Sequence, residues 1–186
     1  MKVITLHQEE KEIIEMAVAN NRQAQQIIYK QFSSKMLGVC RQYTKDLHQA
    51  EDIMITAFMK VFTNLKNFEH KGSFEGWIRR IMVNECISFI RVQKKVIFLD
   101  DEYFEEESFS AIDSQFSVEE IQFLIDNLPD GYKMIFNLYC IEGFKHQEIA
   151  KMLGIDEGTS KSQLSHARKM LQRQIAKLKN YENGTE

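Results

Sequence analysis

The chain has 186 residues, 24 Lys and Arg against 27 Asp and Glu, and a formal net charge of −3. Its hydrophobic fraction of 44% is enough for packed cores, which excludes wholesale disorder. One proline and eight glycines argue against a β-sandwich or barrel, in which turn signals recur every ~8–12 residues. The near-neutral charge seems at first to exclude a nucleic-acid binder. Counted by segment it does not: residues 1–99 carry +5, residues 100–126 carry −10 with no base at all, and residues 144–179 carry +5. Blocks of like charge are solvated and often serve as interaction elements.

Helical periodicity dominates the first half. Residues 8–19 are charged and weakly amphipathic. From Ala24 to Tyr43, Ile27, Ile28, Phe32, Met36, Val39 and Cys40 recur at spacings of three and four, one face of a helix. Thr44, Lys45 and Asp46 break the pattern. A second run over 48–66 carries Ile53, Ala57, Phe58, Val61, Phe62 and Leu65. Asn67 to Ser73 reads as a loop pivoting on Gly72. Ser73 is a good N-cap for a long helix from Phe74 to about Val92.

Residues 95–116 lose the periodicity and read as an acidic, flexible linker with interleaved aromatics. Order resumes at Ser117, which with Glu120 forms a capping box for a helix over 118–127. Pro129 suits the first turn of a helix over about 130–140, and Gly143 ends it. Two further helices follow, 144–152 and about 158–178. The expected fold is all-α: an N-terminal bundle of three or four helices over 1–94, the linker 95–116, a second helical domain over 117–180 and a disordered tail 181–186.

No phosphate-binding glycine loop, nucleophile elbow or metal-ligand spacing appears, so no catalytic residue, metal or cofactor is expected. Cys40, Cys86 and Cys140 fall in apolar helical patterns and are expected as free buried thiols of a reducing cytosol. No signal peptide and no apolar run of membrane-spanning length is expected.

The stretch FKHQEIAKMLGIDEGTSKSQLSHARKML carries most information. A short helix burying Ile149, Ala150 and Leu153, a turn at Gly154 and a basic second helix form a helix-turn-helix. Leu164, Ala167 and Leu171 are expected inward. Ser160, Lys161, Gln163, Ser165, His166, Arg168 and Lys169 are expected on the outer face, where such a helix meets the major groove. An ordinary helical hairpin with a solvated basic face is the bland alternative.

GIDEGTSKSQLSHARKML resembles the recognition helix of region 4 in bacterial RNA polymerase sigma factors of the extracytoplasmic-function (ECF) group, in the sigma-70 family. Gly158, Thr159, Lys161, Ser162, Leu164, Ala167 and Arg168 match that pattern; Asp156, Ser160, Gln163 and His166 depart from it. AEDIMITAFMKVFTNLKNF is similar to region 2.2 through Ala50, Glu51, Asp52, Ile53 and Phe58. FEHKGSFEGWIRRIMVNECISFIRVQKK resembles regions 2.3 and 2.4 through Phe74, Trp77, Ile78, Arg80, Ile81, Asn84 and Arg91.

The resemblance implies a cytoplasmic, non-enzymatic factor that binds core RNA polymerase at the β′ clamp helices and the β flap. Asp52, Ile55, Thr56 and Lys60 would carry the first contact. Lys71, Phe74, Arg79, Arg80, Asn84, Arg91, Lys94 and Lys95 would take the −10 element. Thr159, Ser160, Lys161, Gln163, Ser165, His166, Arg168 and Lys169 would read the −35 element. Asn84 is open between a pocket for a flipped base and a core asparagine, and Trp77 is expected as core packing. An anti-sigma factor, often membrane-bound, is a further partner that the resemblance implies. The alternative is a helix-turn-helix regulator that acts without polymerase.

Overall fold

Helix formation follows the apolar spacing almost throughout. The computed structural model describes residues 2–44, 46–93 and 116–183, and among these there are eight α-helices and no strand. The linker over 95–115, Lys94, Lys95 and residues 184–186 lie outside the described residues. The chain divides into two compact units, with the division after Gln93.

The first unit holds α1 (Lys2–Val18), α2 (Arg22–Arg41), α3 (Leu47–Asn64) and α4 (Phe74–Gln93). The side chain of Asn21 accepts from the backbone N–H of Gln23 and Ala24, which caps α2. Asp46 accepts from the N–H of Gln49 and caps α3. Each cap satisfies amide donors that the first helical turn leaves unpaired. A 3-10 turn over Leu65–Asn67 prolongs α3. Ser73 Oγ accepts from the N–H of Gly76 at the start of α4.

One core joins the four helices. Ile28, Phe32 and Met36 of α2 are buried, as are Ile53, Phe58 and Val61 of α3 and Ile78, Met82 and Cys86 of α4. Full burial of a side chain of this size contributes about 1.5–3 kcal/mol. Two ion pairs span the helices, Lys35 with Glu75 at 2.9 Å and Lys60 with Glu85. Solvent screens partly exposed pairs of this kind to about 0–1 kcal/mol each, so the apolar core decides the fold.

Phe74 belongs to that core. It is only 2% exposed and makes an edge-to-face contact with Phe32 at 5.7 Å, which corrects its expected role as a DNA contact. The reason is register: residues 74, 78, 82 and 86 recur every four positions on the buried side of α4. Phe74→Ala is expected to destabilise the first unit by about 3–5 kcal/mol, as large-to-small core changes of Phe do. Denaturant unfolding followed by the Trp77 fluorescence checks this.

The second unit holds α5 (Val118–Asp126), α6 (Asp130–Phe136), α7 (His146–Leu153) and α8 (Glu157–Asn183). The Ser117–Glu120 capping box is formed in both directions: Glu120 accepts from the N–H of Ser117, and Ser117 Oγ accepts from the N–H of Glu120. That charge-assisted contact holds the Glu120 carboxyl below the usual carboxylate range. α6 continues as a π-helical turn over Asn137–Ile141. α8 runs to Asn183, so residues 181–183 are helical where a disordered tail was expected.

Leu124, Leu128, Met134, Ile135, Leu138, Ile149, Leu164 and Ala167 form the core of this unit. Lys133 is buried with them, and its ammonium pairs with Asp126. The cysteines part company. Cys40 and Cys86 are buried and hydrogen-bonded to one another, which with burial pushes the Cys86 thiol up. Cys140, within the π turn, is exposed, against expectation.

Candidate nucleic-acid interface

The turn between α7 and α8 is built on a left-handed residue. Gly154 has φ 71° and ψ 37°, a conformation that costs glycine little, and its N–H bonds to the carbonyl of Ala150. α8 then leaves the turn with four residues exposed in sequence: Gly158, Lys161, Ser165 and Arg168. Their spacing of three, four and three places them on one face. Thr159, His166 and Lys169 flank that face, half-buried.

Ser160 and Gln163 do not belong to it. They are 0% and 1% exposed, so neither reaches a base edge, which corrects their expected outer position. Residues 160, 163, 164 and 167 share the inward face, and Leu164 and Ala167 fill the rest of it. Ser160 Oγ lies 2.9 Å from His146 Nδ1 at the head of α7.

The exposed cations have local partners. Lys161 pairs with Glu157 one turn back at 2.7 Å, and this contact holds the Glu157 carboxyl low. The Arg168 guanidinium lies 5.7 Å from the centre of the Tyr139 ring, and its Nη2 donates to Cys140 Sγ at 3.9 Å. The imidazole of His146 stacks on the same Tyr139 ring at 4.4 Å. Burial lowers the His146 pKa below its ordinary 6.5, and the nearby Lys161 charge adds to this while Glu157 opposes it. These surroundings favour the neutral imidazole. Its effect on stability vanishes well above pH 6.5, and a cost grows as pH falls below about 6.5 toward the lowered value, where it levels off.

His166 and Lys169 line a cleft of about 410 Å³ with Tyr132, Met170, Arg173 and Lys177. His166 stacks on Tyr132 at 5.7 Å. Their place is thus on the flank of α8, beside its most exposed face.

In the first unit the loop before α4 makes a cavity of about 430 Å³. Its lining includes Asn67, Phe68, Lys71, Ser73, Trp77 and Arg80. Two left-handed residues shape the loop, His70 at φ 55° and Gly72 at φ 106°. Such a φ is uncommon outside glycine. Phe68 is the floor: it meets His70, Phe74 and Trp77 at ring distances of 4.8, 5.0 and 5.5 Å. Trp77 is half-buried, so it packs on this cluster and also presents a wall to the cavity.

Lys71 pairs with Glu69 at 2.7 Å. From the cavity an exposed stripe runs along α4 through Gly76, Arg80, Asn84, Ser88 and Arg91. Asn84 is therefore on the surface, outside the core and outside the cavity lining. Arg79 is half-buried beside the stripe. Asn67, Phe68, Glu69, Ser73 and Gly76 line the cavity although none was an expected contact, and Trp77, expected as core packing, also faces it; the signal was the density of aromatics around Gly72.

On α3, Asp52, Ile55, Thr56, Met59 and Lys60 are exposed on one side. Ile55 is 52% and Met59 64% exposed, an apolar pair on an otherwise polar surface. Lys60 is engaged with Glu85 of α4.

Known proteins match both units. The family model described as Sigma-70 region 2 matches residues 28–96, and that described as Sigma-70, region 4 matches residues 118–171. The ECF RNA polymerase sigma factor SigW of Bacillus subtilis (strain 168) is 30% identical over 161 residues, covering 79% of this chain and 86% of that protein. RNA polymerase sigma factor SigV of the same organism is 30% identical over 135 residues, covering 73% and 81%. Among solved structures, the sigma factor RpoE of Bartonella quintana, in complex with the anti-sigma factor NepR, covers 82% of this chain and 96% of that one at 20% identity and a TM-score of 0.48. Matches to sigma-factor regions over both units do not favour a helix-turn-helix regulator that acts without polymerase. The chain belongs to the ECF RNA polymerase sigma factors.

Proposed function

We propose that three surfaces divide the work of promoter-specific initiation. The exposed side of α3 around Ile55 and Met59 docks on core RNA polymerase. The cavity before α4, with the stripe through Arg80, Asn84 and Arg91, takes the opened −10 strand. The face of α8 with Lys161, Ser165 and Arg168 reads duplex −35 DNA.

The observation that carries this reading is the face of α8. A helix-turn-helix whose second helix exposes Lys161, Ser165 and Arg168 on one side has the shape and charge to enter a major groove. Lys161 must exchange Glu157 for a phosphate or base, which costs little because exposed pairs are weak. Ser165 offers a hydroxyl donor and acceptor, and Arg168 offers a planar fork for guanine or phosphate. In the first unit, the aromatic wall of Trp77 and the cations Lys71 and Arg80 suit an extruded base with its phosphates.

The near-neutral whole gives weak affinity for free DNA, so polymerase must deliver the factor to promoters. The acidic linker repels DNA and fits a path through the basic interior of the polymerase. The β flap is the expected contact of the second unit. We place the factor in the cytoplasm with the polymerase, as a specificity subunit and not an enzyme. Among the described residues no helix is long and apolar enough to cross a membrane. An anti-sigma protein that covers these same surfaces would hold it inactive.

Reconstitution with core polymerase tests the division. Ile55→Asp with Met59→Asp buries two charges in a docking surface and is expected to lower co-elution with core at least ~30-fold, from about 2 kcal/mol or more of desolvation. The helices stay folded, because both residues are exposed. Unchanged co-elution would remove this side of α3 from the interface.

A further inference from the structure

A part-buried polar contact joins α7 and α8. We infer that His146, Ser160 and Tyr139 form a positioning bridge that fixes the rotation of α8 and the aim of Arg168. This rests on the assignment of the α8 face to −35 DNA.

Ser160 is fully buried at the start of α8, where an apolar side chain would serve packing as well or better. Its hydroxyl lies 2.9 Å from Nδ1 of His146, the first residue of α7. The bond therefore joins the two helices of the helix-turn-helix, from residues 14 apart in sequence. Apolar contacts such as those of Leu164 and Ala167 are not directional and allow a helix to turn about its axis. A hydrogen bond is directional and resists that turn.

The bridge continues to the DNA face. Tyr139 stacks on the His146 ring at 4.4 Å with an interplanar angle of 24°. The Arg168 guanidinium lies over the same Tyr139 ring and reaches Cys140 with Nη2. Ser160 thus connects through His146 and Tyr139 to Arg168, although it cannot reach DNA itself. Lys161 follows Ser160 directly in the chain, so the rotation that the bridge fixes also aims Lys161. Ser160, His146 and Tyr139 are positioning residues, whereas Lys161 and Arg168 are contact residues.

The test uses the full chain reconstituted with core polymerase and a randomised duplex library in place of an identified promoter. Wild-type holoenzyme selects a −35 motif from it. Ser160→Ala and His146→Leu are expected to lower the ratio of selected to scrambled −35 binding about tenfold, comparable to one lost base contact. The salt dependence of scrambled binding stays unchanged, because no phosphate contact is removed. His146→Asn keeps a hydrogen-bonding amide near the position of Nδ1 and is expected to restore most of the ratio. Tyr139→Leu leaves the Ser160–His146 bond intact and is expected to reproduce the loss through Arg168.

A lower melting temperature with an unchanged ratio in Ser160→Ala and Tyr139→Leu would overturn the proposal, since the bridge would then be packing only. Equal loss in His146→Asn and His146→Leu would also overturn it. Failure of wild-type holoenzyme to select any −35 motif would instead overturn the assignment of the α8 face.

Discussion

Charge reversal of Lys161 and Arg168 to Glu is expected to abolish −35-dependent initiation while co-elution with core polymerase stays intact. Both side chains are on the exposed face of α8, and neither supports the core. A well-made contact to a base edge is worth about 1–3 kcal/mol, so two lost contacts predict on the order of 100-fold or more. Two added negative charges facing phosphates increase the loss. The Lys161–Glu157 pair does not protect the fold, because it is exposed and adjacent on one helix. Run-off transcription on templates with and without a −35 element checks this. Retained −35 dependence in the double variant would exclude the α8 face as the reader.

The second large effect is expected at Trp77. Trp77→Ala removes the aromatic wall of the cavity before α4. Stacking of one base on an aromatic ring is worth about 1–3 kcal/mol, so open-complex formation should fall roughly 10- to 100-fold. Core binding and −35 affinity should stay near wild type. Trp77 also packs on Phe68 at 5.5 Å and Phe74 at 6.0 Å, so some stability is lost as well. Trp77→Phe keeps a ring in place and separates the two effects, restoring most of the opening. Permanganate reactivity of unpaired thymines reads the opening directly. Asn84→Ala should act less strongly, because Asn84 is on the stripe along α4 and outside the cavity lining.

The parts of the fold legible in the sequence are those set by local chemistry. Ile53, Phe58 and Val61 mark the buried side of α3 by spacing alone. Ser117 and Glu120 announce a capping box, and Gly154 announces a left-handed turn. Ser160 and Gln163 were misread for a specific reason. Leu164 and Ala167 were already assigned inward, and residues three and four away on a helix share their face. Periodicity therefore put 160 and 163 inside, but their polar character outweighed it. The same holds for Phe74, where register pointed inward and an aromatic in a basic region pointed outward.

Other features had no local signal. The π turn over Asn137–Ile141 adds a residue to a helix without any composition to mark it, and the exposed Cys140 lies within it. The cavity before α4 needs two left-handed residues and a ring cluster gathered from residues 68–77. The glycine was visible as a pivot, but the left-handed His70 was not. The ion-pair partners of Lys60, Lys71 and Lys161 likewise depend on side-chain placement, which composition cannot supply.

The net charge of −3 hides two basic segments, 1–99 and 144–179 at +5 each, an acidic segment 100–126 at −10, and −3 from the short remainders 127–143 and 180–186. Each unit carries one of the proposed DNA-facing surfaces, and neither is strongly basic enough to act alone. The most direct measurement is promoter-specific run-off transcription by core polymerase reconstituted with this chain. The account predicts defined start sites that appear only with the factor present, lost when Lys161 and Arg168 are reversed and blocked at opening when Trp77 is Ala. Initiation from the same sites without the chain, or indifference to both sets of changes, would contradict it.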